Sequence, residues 1–463
     1  MADTPPACDP RADYLYSLAL QACVYGWPLF EMQRMRSATS ARKAPGQGFA
    51  GDSPESTQRW CNLFTHEREL LTAGKSRVVM PNNDTLYANA WLDLSAGPLV
   101  IKLPDTGSRY YVLGFLDYYT NPFAHVGTRT TGNGAGDVLV TGPGWRGEVP
   151  HAFQSPGRQV HSPTDWVWMI GRILVDGAQD VAAVNALQDC FQMRTLDDWQ
   201  AGNASPARRF DARFAARAPL DGERFVGMVN DALRMCPPPA ADSLLVAQFR
   251  AVGIGTSPLP AMSADARAAM QRACATTQAL LDGDERQLFD PGAPDDRHAR
   301  RPAWRLPAFL GESFGDKLLR RAFVARQGIG QLSTHEAAYL RCETDSHGER
   351  LQGAHSYRLR FPPGRLPPVD AFWSITLYSS ADYFLVPNPI ERYAIGDRTP
   401  GLVADADGGL TLTLQHAPPL APAARANWLP APEAGFFLCL RAYLPQAQLV
   451  DGSYQLPEPE RQD

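Results

Sequence analysis

The sequence predicts an α+β multidomain fold in which helical regions accompany two antiparallel β-sandwich domains. Near the start, apolar residues recur at three- and four-residue steps, the period of a helix with one buried face. Between Arg77 and Arg172, and again from Tyr357 to Tyr443, the pattern shifts to short alternating runs broken by Pro- and Gly-rich turns, which suits antiparallel sandwiches. Residues 178–340 return to helical spacing. The expected division is a helical segment over 1–75, a first β domain over 76–176, a helical region over 177–345 and a second β domain over 346–463.

The first helix is expected over Ala12 to Lys43, with Tyr14, Leu15, Leu18, Ala22, Tyr25, Leu29 and Met32 on its buried face and a kink or split at Pro28. A second, less regular helix is expected over Glu55 to Ala73. Strands follow at Thr85 to Leu94, Leu99 to Leu103, Arg109 to Phe115, Asp137 to Val140 and Asp165 to Val175. In the helical region the periodic groups are Val181/Val184/Leu187/Phe191, Phe225/Val229/Leu233, Ala264 to Leu281 and Leu318 to Gln327. They are divided at Pro237 to Pro239, at Pro258 to Pro260, and by a charged, mobile loop near Asp295. The second β region offers Tyr357 to Phe361, Ala371 to Tyr378, Leu410 to Gln415 and Gly435 to Tyr443, with a hairpin turn at Asp405-Ala-Asp-Gly-Gly409.

Composition narrows the function. A chain of 463 residues with 44% hydrophobic and 20% charged residues can bury ordinary cores, and a formal net charge of −5 without a basic stripe argues against nucleic-acid partners. The apolar run Tyr14 to Phe30 is interrupted by Ser17, Gln21 and Pro28 and is too short to span a bilayer. The acidic start lacks the basic region of a secretory signal, so a cytoplasmic location is expected. Eight cysteines without a Cys-x-x-Cys pair read as reduced thiols, mostly buried.

The densest chemistry lies in Met80-Pro-Asn-Asn-Asp-Thr-Leu-Tyr87, then Leu116-Asp-Tyr-Tyr-Thr-Asn-Pro-Phe-Ala-His125, then the Gly-rich run from Thr128 to Gly136. The segment Met80 to Pro98 with Asp105-Thr-Gly-Ser-Arg-Tyr-Tyr111 resembles the DUF1254 proteins. Asp370 to Tyr378, Pro387 to Arg398 and Asn427-Trp-Leu-Pro-Ala-Pro432 resemble the partner domain, DUF1214. The resemblance implies that the two sandwiches are jelly-roll-like, accompanied by a helical domain. It implies no reaction, since a shared fold does not transmit one.

Each candidate residue carries two readings. Asp84 is a candidate general base, Tyr87 a donor, and the Asn82 and Asn83 amides could orient a polar substrate; equally, an Asx-rich turn feeding a strand uses the same residues. His125 could relay protons near neutral pH with Asp117 setting its charge, or be an ordinary loop histidine. Tyr119 and Asn121 would line the same site, and Arg129 would hold an anionic group or pair with Asp84 or Asp117. Arg392 belongs to a polar cluster, Asn388 to Arg398, that either locks the two sandwiches together or forms the far wall of the pocket. Gly311-Glu-Ser-Phe-Gly315 matches a nucleophile elbow without the β/α alternation an elbow needs. The Gly-rich run lacks the Lys-Ser/Thr of a P-loop, so no organic cofactor is predicted; no His-Glu-x-x-His is present, and a metal stays open only through Asp345, His347 and His355 brought together by the fold.

The leading expectation is an enzyme acting on a small polar or carboxylated molecule by acid–base chemistry, a lyase, hydrolase or isomerase, compatible with a homo-oligomer. Asp84, Tyr87, Asp117 and His125 would be catalytic, and Asn82, Asn83, Tyr119, Asn121, Arg129 and Arg392 would bind substrate. The alternatives are a non-catalytic carbohydrate- or partner-binding protein and a serine hydrolase acting through Ser313.

Overall fold

The computed structural model describes residues 9–41, 58–75, 80–212, 220–255, 261–283, 288–289, 302–306 and 313–462. The charged segment near Asp295 and the Pro258–Pro260 break lie outside the described residues. The protein is a mixed helical and β structure with two sandwiches, as the sequence predicts.

The Pro10–Thr39 helix begins at Asp9, whose side chain accepts from the backbone of Arg11 and Ala12, with Pro10 in the first turn where a missing N–H costs nothing. Pro28 lies inside this helix without splitting it. Tertiary packing overrides the local penalty, because the helix is gripped on several sides by Gly222–Met235, Ala264–Leu281 and Leu318–Gln327. Gly26 permits one close crossing: a Cβ there would meet Val229 at 3.0 Å.

The helix expected over 55–73 is absent from the described part of that range, where Gln58–Cys61 and Thr65–His66 are short strands. Thr65–His66 forms the edge of a five-stranded sheet ordered Thr65–His66, Thr85–Asp93, Trp166–Leu174, Tyr111–Leu116, Pro122–Gly127. A four-stranded sheet, Gln192–Thr195, Leu99–Leu103, Gly136–Thr141, Gln159–His161, packs beneath it. Leu86, Leu92, Ile101, Leu113, Phe115, Val138, Met169 and Ile173 fill the space between them. The sandwich thus draws Gln192–Thr195 from the segment read as helical, a pairing that periodicity over four residues could not reveal.

The second sandwich repeats the plan. Its larger sheet is ordered Trp304–Arg305, Ala337–Cys342, Phe436–Pro445, Val369–Ser379, Ala394–Gly396, and its smaller sheet Trp428–Pro430, Leu410–Gln415, Tyr357–Phe361, Glu460–Arg461. Tyr357, Leu359, Trp373, Ile375, Leu412 and Leu440 form its core. Asp405–Gly409 is a tight turn through Gly408 at φ 86°, a conformation glycine adopts without steric cost, but not the expected hairpin, because Leu410–Gln415 pairs with Tyr357–Phe361 and Trp428–Pro430 rather than with the strand before the turn.

What positions the candidate site is the outer face of each larger sheet. Side chains alternate across a strand, so Leu86, Ala88 and Leu92 point into the first core, while Tyr87, Asn89 and Trp91 point away from it. At one end that outer face packs on the helices, with Trp91 and Trp168 stacked at 5.8 Å within the helical core. At the other end it meets the outer face of the second sandwich, where Tyr110, Val112 and Leu174 pack with Phe372 and Tyr443. Gly114 leaves a notch in this face that Leu332 occupies, so close that a Cβ there would collide with it. The connector after the Leu318–Gln327 helix therefore lies directly on the sheet. No helix among the described residues is long and apolar enough to cross a membrane.

Candidate functional site between the sandwiches

The Met80 to Thr85 segment is a clasp between the two sandwiches. The carbonyl of Pro81 accepts from the Tyr378 hydroxyl at 2.6 Å, and that of Met80 accepts from Arg441 Nη2 at 2.9 Å. Asn82 donates through Nδ2 to the Tyr443 hydroxyl at 2.6 Å and to Thr85 Oγ1 at 3.0 Å, while its Oδ1 accepts from the Asp84 amide at 2.7 Å. Ser374 donates to Asp84 Oδ2 at 2.5 Å. Asn83 donates to the carbonyl of Leu71. The Asx-turn reading of Asn82 is thus present, and both Asn82 and Asp84 also reach across a domain boundary that sequence could not reveal.

Asp84 lies next to a buried Arg441 whose Nη1 donates to Thr376. Removing its charge leaves that guanidinium less compensated. Asp84→Asn is expected to lower stability by about 2 kcal/mol, of the order of a lost charged hydrogen bond; unchanged chemical denaturation at pH 7 would show that the clasp carries no weight.

The other candidates do not converge on Asp84. Leu116 pairs with Trp168, which pairs with Trp91, whereas Asp84 precedes Thr85 at the opposite end of the same strand. At about 3.3 Å per residue this puts Asp117 roughly 25 Å from Asp84. Asp117 accepts from the amides of Tyr119 and Asn121 and from Asn121 Nδ2, all within 2.9 Å, so its carboxylate builds the turn. Burial pushes its pKa up while Asn121 pulls it back. Tyr119 donates to the carbonyl of Cys236 in the helical layer, and Asn121 Oδ1 accepts from the Phe314 amide.

His125 is level with Gly114 and Ile170 and faces the connector, where Nε2 accepts from the Ser333 amide at 3.4 Å and Nδ1 has no partner. Burial first, then Arg129, Arg172 and His335, lowers its pKa to about 3. It is neutral at physiological pH, and Asp117 neither bonds nor charges it; the expected proton relay near pH 7 is not the chemistry of this environment.

Arg129 pairs through Nε with Glu336 Oε2 at 2.7 Å, and the Tyr110 hydroxyl donates to Glu336 Oε1 at 2.8 Å. Its partner is neither Asp84 nor Asp117. Arg392 lies in the second sandwich, donating to the carbonyls of Ala426 and Trp428 at 2.7 and 3.0 Å, where it ties loops together. From the same polar cluster Arg398 does cross to the first domain, at 2.9 Å from Asp176. Ser313 is exposed and its Oγ accepts from the Gly315 amide; no histidine bonds to it among the described residues.

Tyr87 leads to the feature the sequence reading missed. Its strand partner is Arg172, whose guanidinium carbon stands 5.6 Å from the Tyr87 ring centre. Arg172 is 5% exposed. Its Nη2 donates to the carbonyl of Gly330 at 3.0 Å, but Nε and Nη1 have no partner, and no carboxylate among the described residues pairs with it. Its titratable neighbours are Tyr339, Tyr87, Tyr443 and Tyr110. The Tyr339 hydroxyl is also buried without a partner, and burial raises its pKa although Arg172 pulls it down. An arginine keeps its charge under such burial, and an unpaired buried charge is costly. A signal was present: Arg172 is the single charged residue in the otherwise apolar Trp166–Leu174 strand. Tyr339 carried no comparable mark.

Among the described residues no three His, Cys, Asp or Glu side chains converge as metal ligands would. The seven cysteines among the described residues are free thiols, and of these only Cys190 is exposed.

Residues 61–195 match the family model described as a protein of unknown function, DUF1254, and residues 336–447 match that described as a protein of unknown function, DUF1214. The chain is a DUF1254/DUF1214 domain-containing protein, as its motifs led us to expect. Arg172 and Asp84 belong to the first matched segment, and Tyr339, Ser374, Arg441 and Tyr443 to the second. The crystal structure of the VPA0106 protein from Vibrio parahaemolyticus is similar over 97% of this chain and 100% of that one, at 24% identity and a TM-score of 0.66. That likeness shows a shared fold. An uncharacterised protein from Burkholderia cenocepacia aligns over 97% of this chain and 93% of its own at 13% identity and a TM-score of 0.42. No curated protein matches the sequence.

Proposed function

We propose that the protein is an enzyme that acts on a small carboxylated organic molecule by acid–base chemistry, in the space between the outer faces of its two sandwiches. The observation that supports this is Arg172: a buried guanidinium with two unbonded nitrogens and no carboxylate partner. Only one Nη2 hydrogen is taken by Gly330, so one two-donor edge of the guanidinium is intact, the geometry that grips a carboxylate bidentately. An anion there would replace hydration the charge has lost, and the field of Arg172 would favour negative charge developing on the substrate. The Tyr339 hydroxyl, unbonded and electrostatically coupled to Arg172, is the proton donor in this reading. Asp84 acts as the clasp rather than as the base.

The test is thermal unfolding with and without acetate, malonate, pyruvate, 2-oxoglutarate and citrate. A ligand of the native state at a hundred times its Kd adds about 2.7 kcal/mol of stability. At least one of these acids is expected to raise the midpoint of the wild-type protein and leave Arg172→Met unmoved. Equal responses from the two proteins would refute the reading.

A further inference from the structure

We propose that Glu67 is the general base of this site, taking a hydrogen from substrate whose carboxylate is held on Arg172; the proposal rests on the preceding reading of Arg172. Asp84, Asp117 and Glu336 are each already engaged by hydrogen bonds or an ion pair with protein groups.

Register places Glu67 in line with the anchor. Thr65 pairs with Asn89 and His66 with Ala88, and the ladder continues as the Glu67 amide donates to the Tyr87 carbonyl at 2.9 Å. Tyr87 in turn pairs with Arg172. Residues directly opposite in neighbouring strands share a face, so Glu67, Tyr87 and Arg172 form one row across the outer face of the sheet. Strands about 4.8 Å apart put the backbones of Glu67 and Arg172 about 10 Å from each other. Tyr87 stands between them in the row, so the substrate would lie along the Tyr87 ring with its carboxylate on Arg172 and its reacting carbon toward Glu67. Gln188 clips the row's edge, its Nε2 donating to the carbonyls of both Glu67 and Tyr87 at 3.1 and 3.2 Å.

The Glu67 carboxylate is half-buried and makes no hydrogen bond or ion pair with any described residue. Neighbouring charges are otherwise engaged: Arg68 is paired with Asp189 at 2.5 Å, and burial lowers the His66 pKa to about 4, leaving it neutral. Burial alone raises the Glu67 pKa to about 7, where a carboxylate accepts protons effectively at neutral pH. In the step proposed, the substrate's C–H bond breaks and the proton bonds to a Glu67 oxygen. The electron pair stays on the substrate, as a carbanion or enolate stabilised by Arg172 and by a hydrogen bond from Tyr339.

Exchange in D2O reads this step without knowledge of the complete reaction. The same five acids are incubated with the protein, and loss of carbon-bound hydrogen next to the carboxylate or carbonyl is followed by NMR. Wild type is expected to exchange at least one acid, at a rate rising with pH through about 7. Glu67→Gln is expected to slow exchange about 100-fold or more, the usual contribution of a general base, while keeping the thermal response to acids. Glu67→Asp, which retains the carboxylate, should recover part of the rate. Wild-type exchange by Glu67→Gln, or no exchange by a wild-type protein that binds acids through Arg172, overturns the assignment of Glu67 and leaves the anchor standing. Equal acid binding by wild type and Arg172→Met overturns both.

Discussion

Arg172→Met is expected to unfold at higher denaturant concentration than the wild-type protein in the absence of any anion, a gain of about 1–4 kcal/mol, the range seen when buried ionic groups give way to apolar ones. The guanidinium is 5% exposed, has one hydrogen bond, to Gly330, and lacks a carboxylate partner among the described residues. Methionine fills similar volume, touches the same aromatic rings and carries no charge to desolvate. A group retained at a cost to stability is a mark of a functional site. If Arg172→Met were instead less stable by several kcal/mol, the arginine would be a structural tie of the connector, and the anion site would lose its main support.

The second large effect concerns Glu67 and has a definite sign with pH. Burial raises its folded-state pKa from the ordinary 4.5 to about 7. Below pH 4.5 both folded and unfolded chains hold the proton and the group contributes nothing. Between 4.5 and 7 the unfolded chain releases it first, so stability falls as pH rises, and above 7 the deficit is constant. At 1.36 kcal/mol per pKa unit the deficit is about 3 kcal/mol. Glu67→Gln should therefore match wild type near pH 4 and exceed it by about that amount at pH 8, as read from denaturation curves of the two proteins at each pH. Coincident stabilities across this range would mean that the carboxylate is solvated, and would remove it from consideration as a base. The comparison isolates Glu67 from His66 and His125, whose lowered pKa values act in both proteins as the pH falls below 6.5.

Much of the fold was legible because it is written in local patterns. Thr85 to Leu94, Leu99 to Leu103 and Leu410 to Gln415 were read as strands from alternation and turn residues, and the structure has strands at these positions. Gln58–Cys61 and Thr65–His66 escaped because runs of four and two residues carry too little periodicity, and Gln58–Cys61 pairs with a strand far away in sequence, Arg208–Asp211. Pro28 does not split the Pro10–Thr39 helix, which three helices hold together around it.

The candidate site was legible only in part, and for the same reason. The Pro81-Asn-Asn-Asp-Thr-Leu-Tyr87 motif did mark the meeting place of the sandwiches, and Tyr87 does stand beside the unpaired guanidinium. Asp117, Tyr119 and Asn121 look like site residues in sequence because polar groups at a strand end are needed equally to build a turn and to bind a ligand. Side-chain chemistry, alternation and turn signals determined by themselves that this protein has two sandwiches with a helical layer and that polar groups gather near Asn82. Only the tertiary structure decided which of those groups are spent on one another and which are left unbonded. Hydrogen-bond satisfaction depends on partners far away in sequence, 290 residues for Asp84 and Ser374 and 158 for Arg172 and Gly330, and no local pattern encodes such a partner.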